Sequence, residues 1–593
     1  MALASALGLF VAGVEPHLAP LHFRRRPALC RKTTSVWVAC TMVKTRWKTI
    51  LRTGLCAASA LLVSTMAIAQ TPRPVQQKER PKVSEPISFA NPHDLALAPK
   101  LAAREADWRI GPVVYQVMVD RFAPSRDLEA KRALYAAPRT LRPWSQAPTR
   151  GKLLPEQGLW THELDFWGGD LDSLASKLDY IKGLDVDVLY LGPIHDAFTN
   201  HKYDANDYFK VSPEYGTRED VKKLAAGLHD KGMRLVLDGV LNHMGRNSPQ
   251  FQDALKNPNS PYRDWYFIGP EYKMGYRGWW DIANLPDVKW ETPAVQARLY
   301  GDPDSVIQGW LRDGVDGWRL DVAYDIGFKF LGEATQAAHR AKPGSLMLGE
   351  IYNYPEQWLG PMDGMLNITA GEVIYELVDG KVSGRQAASI LERMVSDSDY
   401  EGLLRSWIVL DNHDRPRLAN RLPDPANRRM AHVLQFTLPG SPNLYYGVEV
   451  GLEGADDPMN RAPMDWSKAN DSQPEFVWLR QLTRLRKEMR ALRIGEFRRL
   501  DTETLLAFTR YTDRVGELAV VLVNPTDAPV SEFLSVRDSK LMNNEPLKDV
   551  FTGYQIRVRA GLIRVEVPAN TAMVLRPVLQ DPSKEYTAYK RVQ

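Results

Sequence analysis

Cysteine is almost missing: the 593-residue chain has three, Cys30, Cys40 and Cys56, and none beyond. Disulfide staples, thiolate zinc or iron–sulfur sites and a cysteine nucleophile are therefore excluded from everything after Cys56. Long apolar runs are scarce too. The one near the start, about 54–69, falls short of the roughly 20 residues that a spanning helix needs. An excess of positive charge is also lacking, although the formal net charge is +4. Nine Lys and Arg against Glu15 make residues 1–69 +8, so the remainder carries −4. A mildly acidic body has no basic face for phosphates, and a nucleic-acid partner is excluded. What is present, 25% charged and 44% hydrophobic residues, is the composition of an ordinary globular protein, and the length predicts more than one domain.

From Met42 the chain reads as a basic stretch, the apolar run and Ala67-Ile68-Ala69, the pattern of a secretory signal peptide. The expectation is a start at Met42, cleavage near Ala69 and a secreted or periplasmic product without a membrane anchor. Residues 70–107, rich in Pro, Lys, Glu and Ala, read as an extended lead-in.

A repeating unit follows, over about 108–493: an amphipathic helix, a glycine, then a short apolar run ending in a polar residue. Thr217 to Gly232 shows it best. Thr217 reads as N-cap with Asp220 closing a capping box, Val221, Leu224, Ala225 and Leu228 share one face, and Gly232 ends the helix. Strands apolar throughout and alternating with helices predict a parallel sheet covered on both faces. Eight are counted, near 113–122, 187–192, 234–239, 315–320, 346–350, 364–369, 406–411 and 443–447. Eight closes a (β/α)8 TIM barrel, fold class α/β. The Trp-, Tyr- and Asn-containing stretch at about 243–293 reads as a subdomain inserted after strand 3. The short alternating runs in 494–593 predict a C-terminal antiparallel β-sandwich.

In such barrels the C-terminal strand ends carry the chemistry. Strand 3 ends in Asp238, strand 4 in Arg319 and Asp321, strand 5 in Glu350, and strand 7 leads to His413 and Asp414. Four acid-bearing strand ends at one rim argue against mere surface solvation. A retaining glycosidase needs two carboxyl groups about 5–5.5 Å apart, and neighbouring strands are about 4.7–4.9 Å apart. Asp321 and Glu350 fit. Arg319, two residues before Asp321 and on its face of the strand, is expected to keep Asp321 ionised as nucleophile. Glu350, in apolar company, is expected to hold a proton for the leaving oxygen, and Asp414 to bind sugar hydroxyls.

These residues stand in DGVLNH (238–243), GWRLD (317–321), LMLGEIYNYPEQWL around Glu350 and DNHDRPR (411–417), which resemble the short motifs of glycoside hydrolase family 13, the α-amylase family. FWGGDLDSLASKLDYI (166–181), NHKYDANDY (200–208), LPDV (285–288) and DDPMNRAPMDW (456–466) resemble its neopullulanase and cyclomaltodextrinase branch. The resemblance implies Asp321 as nucleophile, Glu350 as general acid/base and Asp414 as transition-state stabiliser. It implies that Arg319 positions Asp321, that His243 and His413 hydrogen-bond the sugar, and that Tyr203 stacks on its ring. Asp238 and Asn242 are read as architectural, bracing Arg319 and the insertion loop. Trp279 and Trp280 are equally readable as a sugar-stacking platform or as core, with Trp280 taken as a substrate contact.

The departures matter as well. Val322-Ala323-Tyr324-Asp325 stands where many α-amylases have the Lys-His pair whose histidine carbonyl binds calcium. No cofactor is required, and the motifs do not support calcium. Residues 70–107 are too few for the dimer-forming N-terminal β-sandwich of the branch, so the oligomeric state is left open. The expected activity is hydrolysis of α-1,4 bonds in an α-glucan substrate: maltooligosaccharides, cyclodextrins, starch or pullulan. A transglycosylase on the same fold and a non-catalytic glucan-binding protein are the alternatives, and the intact carboxylate trio argues against the second.

Overall fold

The computed structural model describes residues 92–579. The leader, the expected start at Met42 and the cleavage point near Ala69 all lie outside them. So does most of the lead-in, but its described end corrects the extended reading: Pro92–Ala106 is a helix. Leu97 and Leu101, one turn apart, pack with Ile110, Leu404 and Ile494, and Arg104 pairs with Glu401 at 2.7 Å. Tertiary burial makes this helix, against the Pro99 inside it.

Eight parallel strands close a barrel in chain order: β1 Val114–Val117, β2 Val188–Leu191, β3 Arg234–Gly239, β4 Gly317–Leu320, β5 Leu346–Gly349, β6 Gly364–Asn367, β7 Trp407–Val409 and β8 Ser441–Tyr445, with β8 hydrogen-bonded to β1. The strands are buried on both faces because two cores form. Inside the barrel Val114, Val188, Tyr190, Val236, Leu346, Leu348, Leu366, Trp407 and Val409 meet. Outside, residues such as Trp318 and Leu320 pack against the helical layer. This two-sided burial explains why the strands read as unbroken apolar runs. The helix Arg218–Asp230 forms as its sequence dictates. Thr217 accepts from the Asp220 amide and Asp220 accepts from the Thr217 amide, while Val221, Leu224, Ala225 and Leu228 are buried. Gly232, at φ 69°, supplies the left-handed residue that ends it.

Between β3 and β4 the chain leaves the barrel rhythm. It forms the helix Pro249–Lys256 and four isolated bridges, His243 to Asp287, Tyr266 to Val288, Ile268 to Tyr276 and Gly278 to Pro286. After β8 and the helix Pro474–Glu488, eight further strands run antiparallel: β9 Glu496–Arg499, β10 Leu506–Tyr511, β11 Ala519–Asn524, β12 Val530–Ser535, β13 Pro546–Asp549, β14 Gln555–Arg557, β15 Leu562–Val567 and β16 Thr571–Pro577. One sheet has the order β9-β10-β11-β16-β13-β14, and β12 pairs with β15 beside it. The alternating burial of β15 is that of a sheet with one face on a core.

Candidate active site

The alternation of β4 places Trp318 and Leu320 toward the helices and Arg319 and Asp321 toward the barrel axis. Arg319 stands in register with Asp238 on β3 and Leu348 on β5. Its guanidinium, with no solvent exposure, becomes the hub of the rim. One terminal nitrogen, Nη1, donates to Asp238 Oδ1 at 2.7 Å and to Asp321 Oδ1 at 2.8 Å. The other, Nη2, lies 2.8 Å from Glu350 Oε1. Glu350 Oε2 accepts from the Val322 amide at 3.2 Å. Val322 is held at φ 48°, a costly backbone for a β-branched residue, and such strain gathers at functional sites.

This hub corrects the expected electrostatics. Burial pushes the Asp321 carboxyl well above its usual range, and Glu350 and Asp238 push the same way, with Arg319 opposing. Arg319 does not serve Asp321 alone but is divided among three carboxyl groups. The oxygens of Glu350 sit on a cation and an amide, not among its apolar sequence neighbours.

A hydrogen-bonded chain extends from the hub across the rim. Tyr190 and Tyr203 both donate to Asp238 Oδ2, at 2.5 and 2.9 Å. Gln116 donates to His413 Nδ1 at 3.0 Å, so the ring's proton belongs on Nε2, which faces the Tyr203 hydroxyl at 2.6 Å and Asp414 Oδ2 at 3.1 Å. Asn443 donates to Gln116 Oε1 and fixes that amide's orientation. Arg461 Nη2 lies 3.3 Å from Asp414 Oδ1, a permanent charge beside an acid. Asp238, Arg319, Asp321, Glu350, His413 and Asp414, separated by up to 176 positions in the chain, thus share one polar network.

The other expected residues take their places around a cavity of about 810 Å³ lined by Asp321, Glu350, Tyr203, His243, Trp279 and Trp280 among others. His243 Nε2 lies 4.0 Å from Asp321 Oδ2 and 3.1 Å from the Tyr203 carbonyl, and its ring stacks on Trp279. Trp279 is therefore half core and half wall, whereas Trp280 is 53% exposed at the cavity edge. The Tyr203 ring lies parallel to His413 at 5.1 Å. Asn242 acts through its carbonyl, which accepts from the Val288 amide and ties the inserted segment to the rim. Gln116, Arg461, Glu163 and His201 were not singled out by sequence. Two of them had a signal, Arg461 in DDPMNRAPMDW and His201 in NHKYDANDY. Among the described residues no group of three or more His, Cys, Asp or Glu is placed to hold a metal ion.

Burial lowers His413 and His243 to about 3, His432 to about 3 and His195 to about 4. Folded, these rings stay neutral to low pH; unfolded, they take a proton near 6.5. Their contribution to stability is complete above pH 6.5 and is lost as the pH falls toward 3. The raised carboxyls of Glu163 and Asp321 act the other way in this window, so the rings are tested one at a time: His432→Gln should lose less of its thermal midpoint between pH 6.5 and 4 than the wild type, and parallel profiles would contradict a neutral His432.

Comparison with known proteins agrees with this geometry. Residues 116–491 match the family described as "Alpha amylase, catalytic domain". The chain is 33% identical over 459 residues to "Intracellular maltogenic amylase" of Bacillus subtilis (strain 168), covering 75% of this chain and 73% of that one. It is 30% identical over 489 residues to "Neopullulanase 2" of Thermoactinomyces vulgaris, covering 79% and 78%. The ligand-free cyclic α-maltosyl-(1→6)-maltose hydrolase of Arthrobacter globiformis superposes with a TM-score of 0.66 at 27% identity, covering 80% of this chain and 99% of that one. The expectation of a secreted or periplasmic product is overturned by a relative named as intracellular. Among the described residues no helix is long and apolar enough to cross a membrane. Barrel, rim acids, ordered motifs and relatives agree: the chain belongs to the α-amylase family, glycoside hydrolase family 13, and is a glycoside hydrolase resembling its neopullulanase and cyclomaltodextrinase branch.

Proposed function

We propose that the chain is a retaining α-glucan hydrolase that cuts α-1,4-glucosidic bonds in maltooligosaccharides, cyclodextrins, starch or pullulan through a covalent glycosyl-enzyme. The observation that carries this reading is the fork of Arg319, whose two terminal nitrogens hold Asp321 and Glu350 side by side. Two carboxyl groups on one guanidinium fit the spacing of about 5–5.5 Å used by retaining enzymes better than the wider gap that admits a water between them.

Asp321 attacks the anomeric carbon while Glu350 gives its proton to the departing glycosidic oxygen. A water then attacks the glycosyl-enzyme, loses its proton to Glu350 and frees Asp321. Arg319 lies between the two acids and holds both in place for this exchange. Asp414, held by Arg461 and His413, binds ring hydroxyls more tightly as the oxocarbenium-like state forms. His243 and Tyr203 bound the ring, and Trp280 offers an apolar face to a further glucose.

Incubation with starch, pullulan and β-cyclodextrin, and separately with maltotriose, with proton NMR of the first products and sizing of the rest, tests the reading. The expected result is shorter glucans appearing first as the α-anomer. Initial β-anomer, or no cleavage of any of the three, would contradict it, and products longer than a maltotriose substrate would favour transfer instead.

A further inference from the structure

The wall of the catalytic cavity holds a pair that the mechanism above does not use. Glu163 lies in the 3-10 turn Thr161–Leu164, and His201 lies in the loop after β2. Both line the same cavity as Asp321 and Glu350. We propose that Glu163 and His201 form a hydroxyl-binding pair that grips one glucose hydroxyl oxygen from two sides, making them specificity-determining residues for the glucan. The proposal deepens the functional reading above and rests on it.

The argument is one of donors. His201 Nδ1 accepts from the Tyr203 amide at 3.0 Å, so the ring's hydrogen belongs on Nε2. Nε2 is buried and has no hydrogen-bond partner. Its nearest acidic neighbour, Glu163 Oε1, is 3.7 Å away, too far for a bond. Glu163 Oε2 is already occupied, accepting from the Trp160 amide at 2.9 Å. A proton on Glu163 therefore sits on Oε1 and points a second donor at the first. Two donors cannot satisfy each other, and an oxygen that accepts from both can satisfy them together. A sugar hydroxyl has the two lone pairs this requires. His201 also stacks on Tyr203 at 5.9 Å, and Tyr203 on His413, so the pair adjoins the residues that bound the reacting ring.

The protonation states agree. Burial raises Glu163 to about 8, with the Trp160 amide and Arg461 opposing and Asp457 and Asp204 reinforcing. Burial and the charge of Arg461 keep His201 neutral, well below its ordinary range. The groups facing Glu163 are thus His201, Asp457, Arg461 and Asp204. Above pH 8 an ionised Glu163 accepts from His201 directly, and the grip on the hydroxyl is lost.

Steady-state kinetics on maltotriose from pH 6 to 9 test the pair. In the wild type KM should rise severalfold above pH 8. Glu163→Gln keeps the Trp160 contact and a neutral donor, so it should hold a near-wild-type KM at pH 7 and abolish that rise. Glu163→Ala should raise KM about tenfold at pH 7 with kcat changed less than threefold. A Glu163→Gln profile superimposable on the wild type, or an unchanged KM in a folded Glu163→Ala, would overturn the pair while leaving the hydrolase reading intact. Absence of turnover in the wild type would overturn both.

Discussion

Asp321→Asn lowers kcat on maltotriose by about 10⁴-fold, equivalent to about 5.4 kcal/mol of lost transition-state stabilisation. The amide keeps the shape of the side chain and loses the nucleophilic oxygen, so the deficit falls on the chemical step. KM should change little, because the cavity walls are untouched. Stability should hold or rise. Burial and the crowding of Glu350 and Asp238 oppose a charge at Asp321, and removing that charge relieves the cluster. Active sites commonly trade stability for function in this way. Paired kinetics and thermal melts check both halves. Activity within tenfold of wild type would remove Asp321 from the nucleophile's place, and a large loss of stability would contradict the crowding.

Arg319→Met should be the most damaging single change in the barrel. It leaves Asp238, Asp321 and Glu350 buried with no counter-charge in their midst. Stripping one partner from a buried ion cluster costs about 3–5 kcal/mol. The sign of the pH dependence follows. Arg319 is what opposes the raised carboxyls of Asp238 and Asp321, so without it both hold protons to higher pH in the folded chain than in the unfolded one. The variant is then relatively stable at low pH and loses that stability as the pH rises through the folded values. Urea midpoints at pH 5 and 8 should show the larger deficit at pH 8, and an equal deficit at both would contradict the account. Arg319→Lys should not rescue activity, because one ammonium cannot hold Asp321 and Glu350 on separate nitrogens.

The parts of this site that the sequence disclosed are those with local signatures. Thr217, Asp220 and Gly232 announce a helix through cap chemistry, and the apolar strands announce two-sided burial. Arg319 and Asp321 are adjacent on one face of β4, so their partnership is readable from spacing alone. Partnerships across the chain are not. Asn443 on β8 fixes Gln116 on β1, which in turn orients His413, a relation created only when the barrel closes. Arg461 reaches Asp414 across 47 positions, and Glu163 faces His201 across 38. The helix Pro92–Ala106 was hidden for a similar reason. Its two buried leucines are a weak signal until Leu404 and Ile494 are beside them. Of the three acids on Arg319, Asp238 and Asp321 were legible and Glu350 was not, because Glu350 arrives from another strand. Burial, with Glu350 and Asp238 adding to it, is what overturns the simple expectation for Asp321.

The most direct measurement uses Glu350→Gln with α-maltosyl fluoride, whose leaving group needs no acid while the second step lacks its base. Intact-mass and peptide analysis should find one maltosyl unit esterified to Asp321. Rapid fluoride release with an unlabelled Asp321, or label on any other residue, would contradict the account.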